Sequence, residues 1–251
     1  MFEGLVASIF NKWLGKYVED LDTEQLNVGI FGGEVKLQEL KLKPEALFEL
    51  QLPIEVKYGV IGAISLTIPW TNLSSKAIVI NVEDVLVVGV PIGTGEFSHD
   101  KERRLIRAMK KKILDDIEGE NFLGGGPGSL YDDIIMALTN NIQISIQKIH
   151  VRYEDENCNR GIACGLCIER LSMETTNSKW KSCEKSTGSS MVYQLGKLEA
   201  ASIYFNTDLE NGDFLSESWR EDLKLGLEMF SVNEKSFDFG NEAFPVTEFC
   251  V

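Results

Sequence analysis

Along residues 2 to 18, apolar side chains recur at steps of three and four: Phe2, Leu5, Val6, Ile9, Phe10, Trp13, Leu14, Tyr17 and Val18. That period gathers all nine on one face of a helix, a wide, aromatic-rich stripe that requires an apolar partner. The period then changes to two. Leu26, Val28 and Ile30 alternate with Asn27 and Gly29, and Gly32-Gly33 is a two-residue hairpin signal leading into Val35 and Leu37. Pro44 to Leu50 reads as a short helical turn. Alternation resumes at Ile54, Val56 and Tyr58, at Ile64, Leu66 and Ile68, and at Ile78, Ile80 and Val82, and the run to Val90 is apolar on both faces. The connections are short, which predicts antiparallel pairing.

Pro91 opens an interruption. Residues 101–118 carry an amphipathic-helix pattern with Leu105, Met109, Ile113 and Ile117 on one face. Gly124 to Gly128 reads as a linker, and Ser129 with Asp132 forms a capping box for a helix through Leu138. Strand patterning returns with Ile142, Ile144 and Ile146, slips phase at Lys148, and continues with Ile149, Val151 and Tyr153. Cys164, Leu166 and Ile168 alternate next, with Leu171 and Met173 beyond. Residues 191–206 and 223–232 read as later strands, 174–190 as a polar loop, and the pattern dissolves from Glu234 onward. The chain therefore has many strands with one clean apolar face and few helices to cover them. An antiparallel sheet needs only one buried face. That face can be covered by a second sheet, by helices, or by something that is not protein.

Charge narrows the partners. Lys plus Arg is 25 and Asp plus Glu is 39, a net charge of -14, so phosphate backbones are repelled and general nucleic-acid binding is excluded. One stretch reverses the sign. Lys101, Arg103, Arg104, Arg107, Lys110, Lys111 and Lys112 stand against Glu102 alone. A basic amphipathic helix of this kind is a candidate membrane contact through Arg103, Arg104, Arg107, Lys110 and Lys111, against the plainer reading of a solvated face balanced by Asp115, Asp116 and Glu118. Glu3, Lys12 and Lys16 interrupt the first apolar run, so a secretory signal is not expected. The longest uncharged stretch, Tyr58 to Ser75, holds Pro69 and Asn72 and is not a spanning helix.

Catalytic chemistry finds little support. The five cysteines begin only at Cys158, an odd set that argues against a disulfide framework and for a reducing cytosol. Cys164 and Cys167 have dithiol spacing, but within a strand they point to opposite faces, and no paired repeat accompanies them for zinc. His99 and His150, the only histidines, lack a nucleophile motif. Glu154-Asp155-Glu156 has no calcium-loop spacing, and Gly124 to Gly128 lacks the Lys-Ser/Thr of a phosphate loop. The expectation is no enzyme, no metal and no cofactor.

Several segments in order carry a resemblance: Phe2-Glu-Gly-Leu-Val-Ala, Leu14-Gly-Lys-Tyr-Val18, Asp22-Thr-Glu-Gln-Leu26, Val56-Lys-Tyr-Gly-Val-Ile-Gly62, Leu66-Thr-Ile-Pro-Trp70, Ile149-His-Val-Arg-Tyr-Glu-Asp155 and Leu171-Ser-Met-Glu-Thr-Thr176. The chain resembles the chorein N-terminal domain of the vacuolar-protein-sorting-thirteen family over most of residues 2 to about 205. The resemblance implies a long groove of antiparallel strands with an apolar floor, capped by helices. It implies bridge-like transfer of glycerophospholipids between the endoplasmic reticulum and an apposed organelle, with unnamed adaptor proteins. The chain would be a cytoplasmic, peripheral membrane protein at contact sites and the first segment of a longer bridge. Phe237 to Val251 does not resemble the family's continuation.

Together these readings predict an α+β, mostly β fold: a strongly curved antiparallel sheet forming an open apolar groove, an N-terminal capping helix, and two further helices in the middle of the chain. Residues 1–233 would form the lipid-binding unit, with the helical cap at 1–20 and an insert at 91–128, and 234–251 an irregular tail. The expected lipid-binding residues are Val28, Ile30, Val35, Leu37, Ile54, Val56, Ile64, Leu66, Ile68, Ile78, Ile80, Val82, Ile142, Ile144, Ile146, Leu166 and Ile168. The competing expectation is a closed β-sandwich with a dry core that binds protein partners.

Overall fold

The computed structural model describes residues 2–50, 54–72, 76–92, 103, 106–107, 110, 141–156, 161–181, 193–209, 215, 217–232 and 243–246. Two helices lead, α1 (Phe2–Tyr17) and α2 (Thr23–Gly32). Six long or medium strands follow: β1 (Glu34–Lys41), β2 (Ile54–Thr67), β3 (Ile78–Pro91), β4 (Ile142–Asp155), β5 (Gly161–Thr176) and β6 (Tyr193–Leu209). Helix α3 (Trp219–Val232) and a short strand β7 (Ala243–Val246) close the set. The strands form one sheet in sequence order, β1 to β7. A single open sheet with a helical cap agrees with the α+β, mostly β expectation. The closed sandwich does not form, because the described strands make no second sheet.

Three local readings are corrected. Leu26, Val28 and Ile30 lie in helix α2, not in a strand. Leu26 and Ile30 are one helical turn apart and both fully buried, while Val28 points away at 73% exposure. Three alternate positions cannot separate period two from a step of four, but the ends can. The Asp22 side chain caps the helix by accepting from the Gln25 N–H at 2.9 Å. Gly33 ends it in the left-handed region at φ 81°, so Gly32-Gly33 is a helix stop rather than a hairpin turn. Residues 219–232 likewise form a helix, in which Leu223 and Leu227 are the buried pair. Ile54–Thr67 is one continuous strand rather than two.

The fourth difference concerns direction. All ladders are antiparallel except β3–β4, which is parallel. Residues 92–141 separate these two strands, enough chain to return to the starting end before pairing, which a short turn could not do. The predicted helices at 101–118 and 129–138 and the linker 124–128 lie outside the described residues, except that Arg103, Ile106, Arg107 and Lys110 are helical and exposed.

One row of residues shapes the sheet. Glu39, Asp84, Lys148 and Ala200 have φ of 54°, 56°, 55° and 47°. Glu39 lies between the pairs Gln38↔Ala63 and Leu40↔Ile61, which brings it level with Gly62. Asp84 and Lys148 lie between Glu83↔Gln147 and Val85↔Ile149, and Ala200 between Arg170↔Glu199 and Ile168↔Ala201. The four therefore share one level across the sheet. A left-handed residue interrupts the alternation of its strand and bends it, as a bulge does. Here the neighbours do so at the same level, and pairing continues in register. Apolar positions accordingly step by three at this row, from Leu37 to Leu40, Val82 to Val85, Ile146 to Ile149 and Leu198 to Ala201, and stay on one face.

Helices α1 and α2 cover part of that face. Val6, Ala7, Leu26 and Ile30 pack on Val35, Leu37, Leu40, Ile64, Leu66, Ile68 and Ile78, with Ile61, Leu42, Ile80 and Val82 at the margin. The end of α1 is stitched to the sheet: the Glu19 N–H donates to the Lys41 carbonyl at 2.9 Å, and the Lys43 N–H to that of Tyr17 at 2.8 Å. Asn11 Nδ2 donates to Asn27 Oδ1 at 2.7 Å and links the two helices. Helix α3 packs on the opposite face, where Leu223 and Leu227 meet Val60, Leu86, Val88, Cys167 and Tyr204.

A Cβ on Gly165 would lie 2.2 Å from the Tyr204 ring, whereas a Cβ on Gly196 would meet nothing within 4 Å. Gly165→Ala should cost about 1–3 kcal/mol by overpacking, and Gly196→Ala less than about 0.5 kcal/mol. Urea unfolding of the two variants side by side measures both, and equal midpoints would contradict the packing described.

Candidate lipid-binding face

The apolar face runs beyond the helical cap. Ile80 pairs with Ile144 and Val82 with Ile146. Ile144 opposes Met173, Ile146 opposes Leu171, and Leu171 opposes Leu198. Directly opposed residues share a face, so the surface under the cap continues onto β4, β5 and β6. Past the left-handed row it carries Ile149, Ile168 and Ala201, then Val151, Leu166 and Ile203, then Tyr153, Cys164 and Phe205. Cover is lost along the way. Leu171 is 39% exposed, Leu198 38%, Ile203 51% and Phe205 46%. Among the described residues, no helix packs on this part of the sheet.

The reverse face of the same strands is polar before the row. Asn81, Gln143, Ser145, Gln147, Ser172 and Lys197 line a shallow depression there, and Lys197 Nζ bonds Glu174 Oε1 at 2.8 Å. The sheet is thus amphipathic in cross-section, with its backbone groups satisfied along the ladders. An apolar face without free backbone donors or acceptors suits hydrocarbon.

The expected binding residues divide into groups. Ile30, Val35, Leu37, Ile64, Leu66, Ile68 and Ile78 are buried beneath α1 and α2. Ile80 and Val82 sit at the edge of that cap. Ile142, Ile144, Ile146, Leu166 and Ile168 lie on the uncovered part, each half-buried. Ile54 and Val56 are at the far end of β2, near the 3-10 turn Pro44–Leu50, and Val28 is on the outer side of α2. Met173, Leu171, Leu198, Ile203 and Phe205 join the uncovered face without having been selected from the sequence. The phase break at Ala200 hides the last three, because Leu198 and Ile203 are five residues apart and fit neither period. Arg103, Arg107 and Lys110 are exposed and helical, and Arg104 and Lys111 lie outside the described residues.

Polar chemistry is concentrated on the other face, under α3. His150 Nδ1 lies 2.9 Å from the Leu223 carbonyl and Nε2 lies 2.9 Å from Tyr204 Oη. The carbonyl only accepts, so Nδ1 carries the proton and Tyr204 donates to Nε2. Arg152 Nη1 donates to the same Tyr204 oxygen at 3.4 Å, and Arg152 Nε donates to Glu154 Oε1 at 2.7 Å. Glu154 also accepts from the Leu215 N–H at 3.1 Å. Both imidazole nitrogens are engaged and α3 covers the cluster, so it serves to dock the helix rather than to attack a substrate. Burial holds the Cys164 thiol above its ordinary value and pushes Cys167 up to about 12, which disfavours the thiolate that redox exchange requires. No group of three metal-ligating side chains occurs among the described residues, and none of their helices is long and apolar enough to cross a membrane.

Burial lowers the His150 pKa to about 4, with the Arg152 charge acting in the same direction and the Leu223 hydrogen bond against it. The unfolded chain binds this proton more readily than the folded one, so the contribution is complete above pH 6.5 and is lost as pH falls toward 4. The loss amounts to about 3 kcal/mol at about 1.36 kcal/mol per unit. Denaturant unfolding between pH 7 and 4 should show this slope, and His150→Gln should flatten it. An identical slope in the variant would mean that other groups carry the acid sensitivity.

A family profile described as the VPS13-like family N-terminal region matches residues 1–227. The chain is 33% identical over 229 residues to the intermembrane lipid transfer protein vps13A of Dictyostelium discoideum, covering 84% of this chain and 7% of that protein. It is 35% identical over 219 residues to the intermembrane lipid transfer protein VPS13 of Chaetomium thermophilum, covering 83% and 7%. The match to human intermembrane lipid transfer protein VPS13D is 37% over 186 residues, covering 69% and 4%. The chain thus spans less than a tenth of the length of these relatives.

Proposed function

Because the chain belongs to the VPS13-like family through its N-terminal region, we propose that it binds the acyl chains of glycerophospholipids on the uncovered apolar face of its sheet and passes them along that face without catalysis. It would act as the N-terminal segment of a bridge-like lipid carrier between the endoplasmic reticulum and an apposed organelle, with residues 1–233 as the binding unit. The exposed Arg103, Arg107 and Lys110 belong to the membrane-facing surface in this reading, and adaptor proteins would select the membranes.

The observation that carries the proposal is the apolar surface itself. It is continuous from the capped end across β4, β5 and β6, and its side chains lose cover where the helices stop. Hydrocarbon contact is worth about 0.8 kcal/mol per buried CH₂, so one chain of ordinary length gains on the order of 10 kcal/mol gross. The relatives' names describe intermembrane lipid transfer, which supports the same reading.

The capped and uncovered parts call for different variants. A charge at Ile64 or Leu66 would sit beneath α1 and α2 and unfold the protein. Charges at Ile144, Ile146 and Leu171 fall on the half-covered surface. The triple Asp variant should keep its far-ultraviolet circular dichroism and lose co-purifying phospholipid, measured by solvent extraction and mass spectrometry. A folded triple variant that retained its phospholipid would refute the proposal.

A further inference from the structure

The turn that joins β5 toward β6 holds a tryptophan in an expensive position. Asn177 organises it. Its N–H donates to the Lys181 carbonyl at 3.0 Å, and its own carbonyl accepts from the Trp180 N–H at 2.9 Å. The Asn177 side-chain oxygen accepts from the N–H groups of Lys179 at 2.8 Å and Lys181 at 3.2 Å. This net fixes Trp180 at φ 58°, a left-handed conformation that a bulky side chain seldom takes and that Gly or Asn would fill at lower cost. The indole nevertheless stays 58% exposed. Its ring contact is an edge-on approach to Tyr193, with centroids 6.1 Å apart. Lys179 and Lys181 on either side are exposed as well.

The surroundings repeat the pattern. Thr176 pairs with Tyr193 at the same end of the sheet where β3 and β4 begin, at Ile78↔Ile142, and where β1 begins, opposite Thr67. Exposed Lys76 and exposed Phe31 lie at that end. Exposed Glu34 at the start of β1 shares this end, and Glu174 nearby is paired with Lys197; the opposite strand ends carry Glu55, Asp155 and Glu156 with Lys41 and Lys57. In a chain of net charge -14, one end of the strands therefore combines lysines with outward aromatic rings. Neither the core nor the lipid-binding face uses this combination.

We infer that this strand end, led by Trp180 between Lys179 and Lys181, rests on the surface of an anionic lipid bilayer. The indole sits at the boundary between headgroups and acyl chains, where an amphipathic ring is favoured. The two ammonium groups meet headgroup phosphate and carboxylate. The long side of the sheet then lies along the membrane. This contact is distinct from lipid carriage: Trp180 lies in the turn beyond the end of β5, past Met173 and Leu171, and is not one of the floor residues.

The test uses the whole chain and vesicles of phosphatidylcholine alone or with about 30% phosphatidylserine. The chain should sediment with the mixed vesicles and several-fold less with the neutral ones. Lys179→Glu with Lys181→Glu should abolish that preference, and Trp180→Ala should weaken binding several-fold. Trp180→Phe, which keeps a ring against Tyr193, guards against a folding defect. In it, quenching of tryptophan emission by brominated lipid should fall relative to the parent chain. Co-purifying phospholipid should be unchanged in all these variants, so failure here is distinguishable from failure of the groove. Equal sedimentation with both vesicle types, no sedimentation at all, or variants that bind like the parent would each overturn the inference.

Discussion

The level row Glu39, Asp84, Lys148 and Ala200 is the constraint on which the rest of the molecule depends. A strand shows its two faces in strict turn, so without an interruption the apolar positions on either side of this row would point to opposite faces. With the row, Val82 and Val85 share a face, as do Ile146 and Ile149. Because the interruption stands at one level in strands β1, β3, β4 and β6, the ladders are not broken. Gly62 on β2 fits the same level for a steric reason: a Cβ there would meet that of Asp84 at 2.8 Å. Left-handed geometry costs about 1–2 kcal/mol per residue, which no strand would bear alone without gain from its neighbours.

The same row sets where α3 docks. Asp84, Lys148 and Glu169 line a depression together with Lys224 and Glu228 of the helix. Lys224 Nζ approaches Asp84 Oδ2 at 3.4 Å, and Arg220 grips Glu39 through two bonds of 2.5 and 2.6 Å. That grip, a hydrogen-bonded and charged pair, also holds the Glu39 carboxyl below its usual range. Exposed pairs of this type contribute little energy, so their part is to fix position. The energy comes from Leu223 and Leu227 in the second core cluster and from Trp219 stacked on Tyr58 at 5.4 Å. Helix α3 thereby reaches from β1 to β5 across the bend and braces the face opposite the apolar floor.

Much of this was legible in the residues, and the failures have physical causes. The stripe of α1 and the alternation of Ile142, Ile144 and Ile146 state their elements plainly, and the slip at Lys148 marks the bend on one strand. The sequence of helix α2 reads as a strand because Leu26 and Ile30 satisfy both periods, and only the Asp22 cap and the left-handed Gly33 decide between them. The parallel ladder between β3 and β4 could not be inferred from alternation, which is blind to strand direction. The division of the apolar face into a capped and an open part is likewise absent from any one strand. Ile64 and Ile144 look alike in sequence, and they differ only because α1 and α2 end their cover between β3 and β4.

On the proposed function, the distribution of polar groups makes this face select chains rather than headgroups. A site that discriminates polar ligands needs a few convergent donors and acceptors. Here His150, Arg152, Glu154 and Tyr204 project to the opposite face, where His150 bonds the Leu223 carbonyl of α3 and the rest of the cluster is bonded within itself and to the Leu215 N–H. Most of the floor offers Ile, Leu, Val, Met and Phe side chains whose backbone partners are already in the ladders, with the Tyr153 hydroxyl, which donates to Asp155, and the Cys164 thiol at its end past the bend. Its hold on a guest therefore grows with hydrocarbon length, and sliding the guest by one methylene changes little. Low directional contrast along the floor is a poor basis for catalysis or for tight recognition, but it would provide a smooth path for the proposed movement of a lipid.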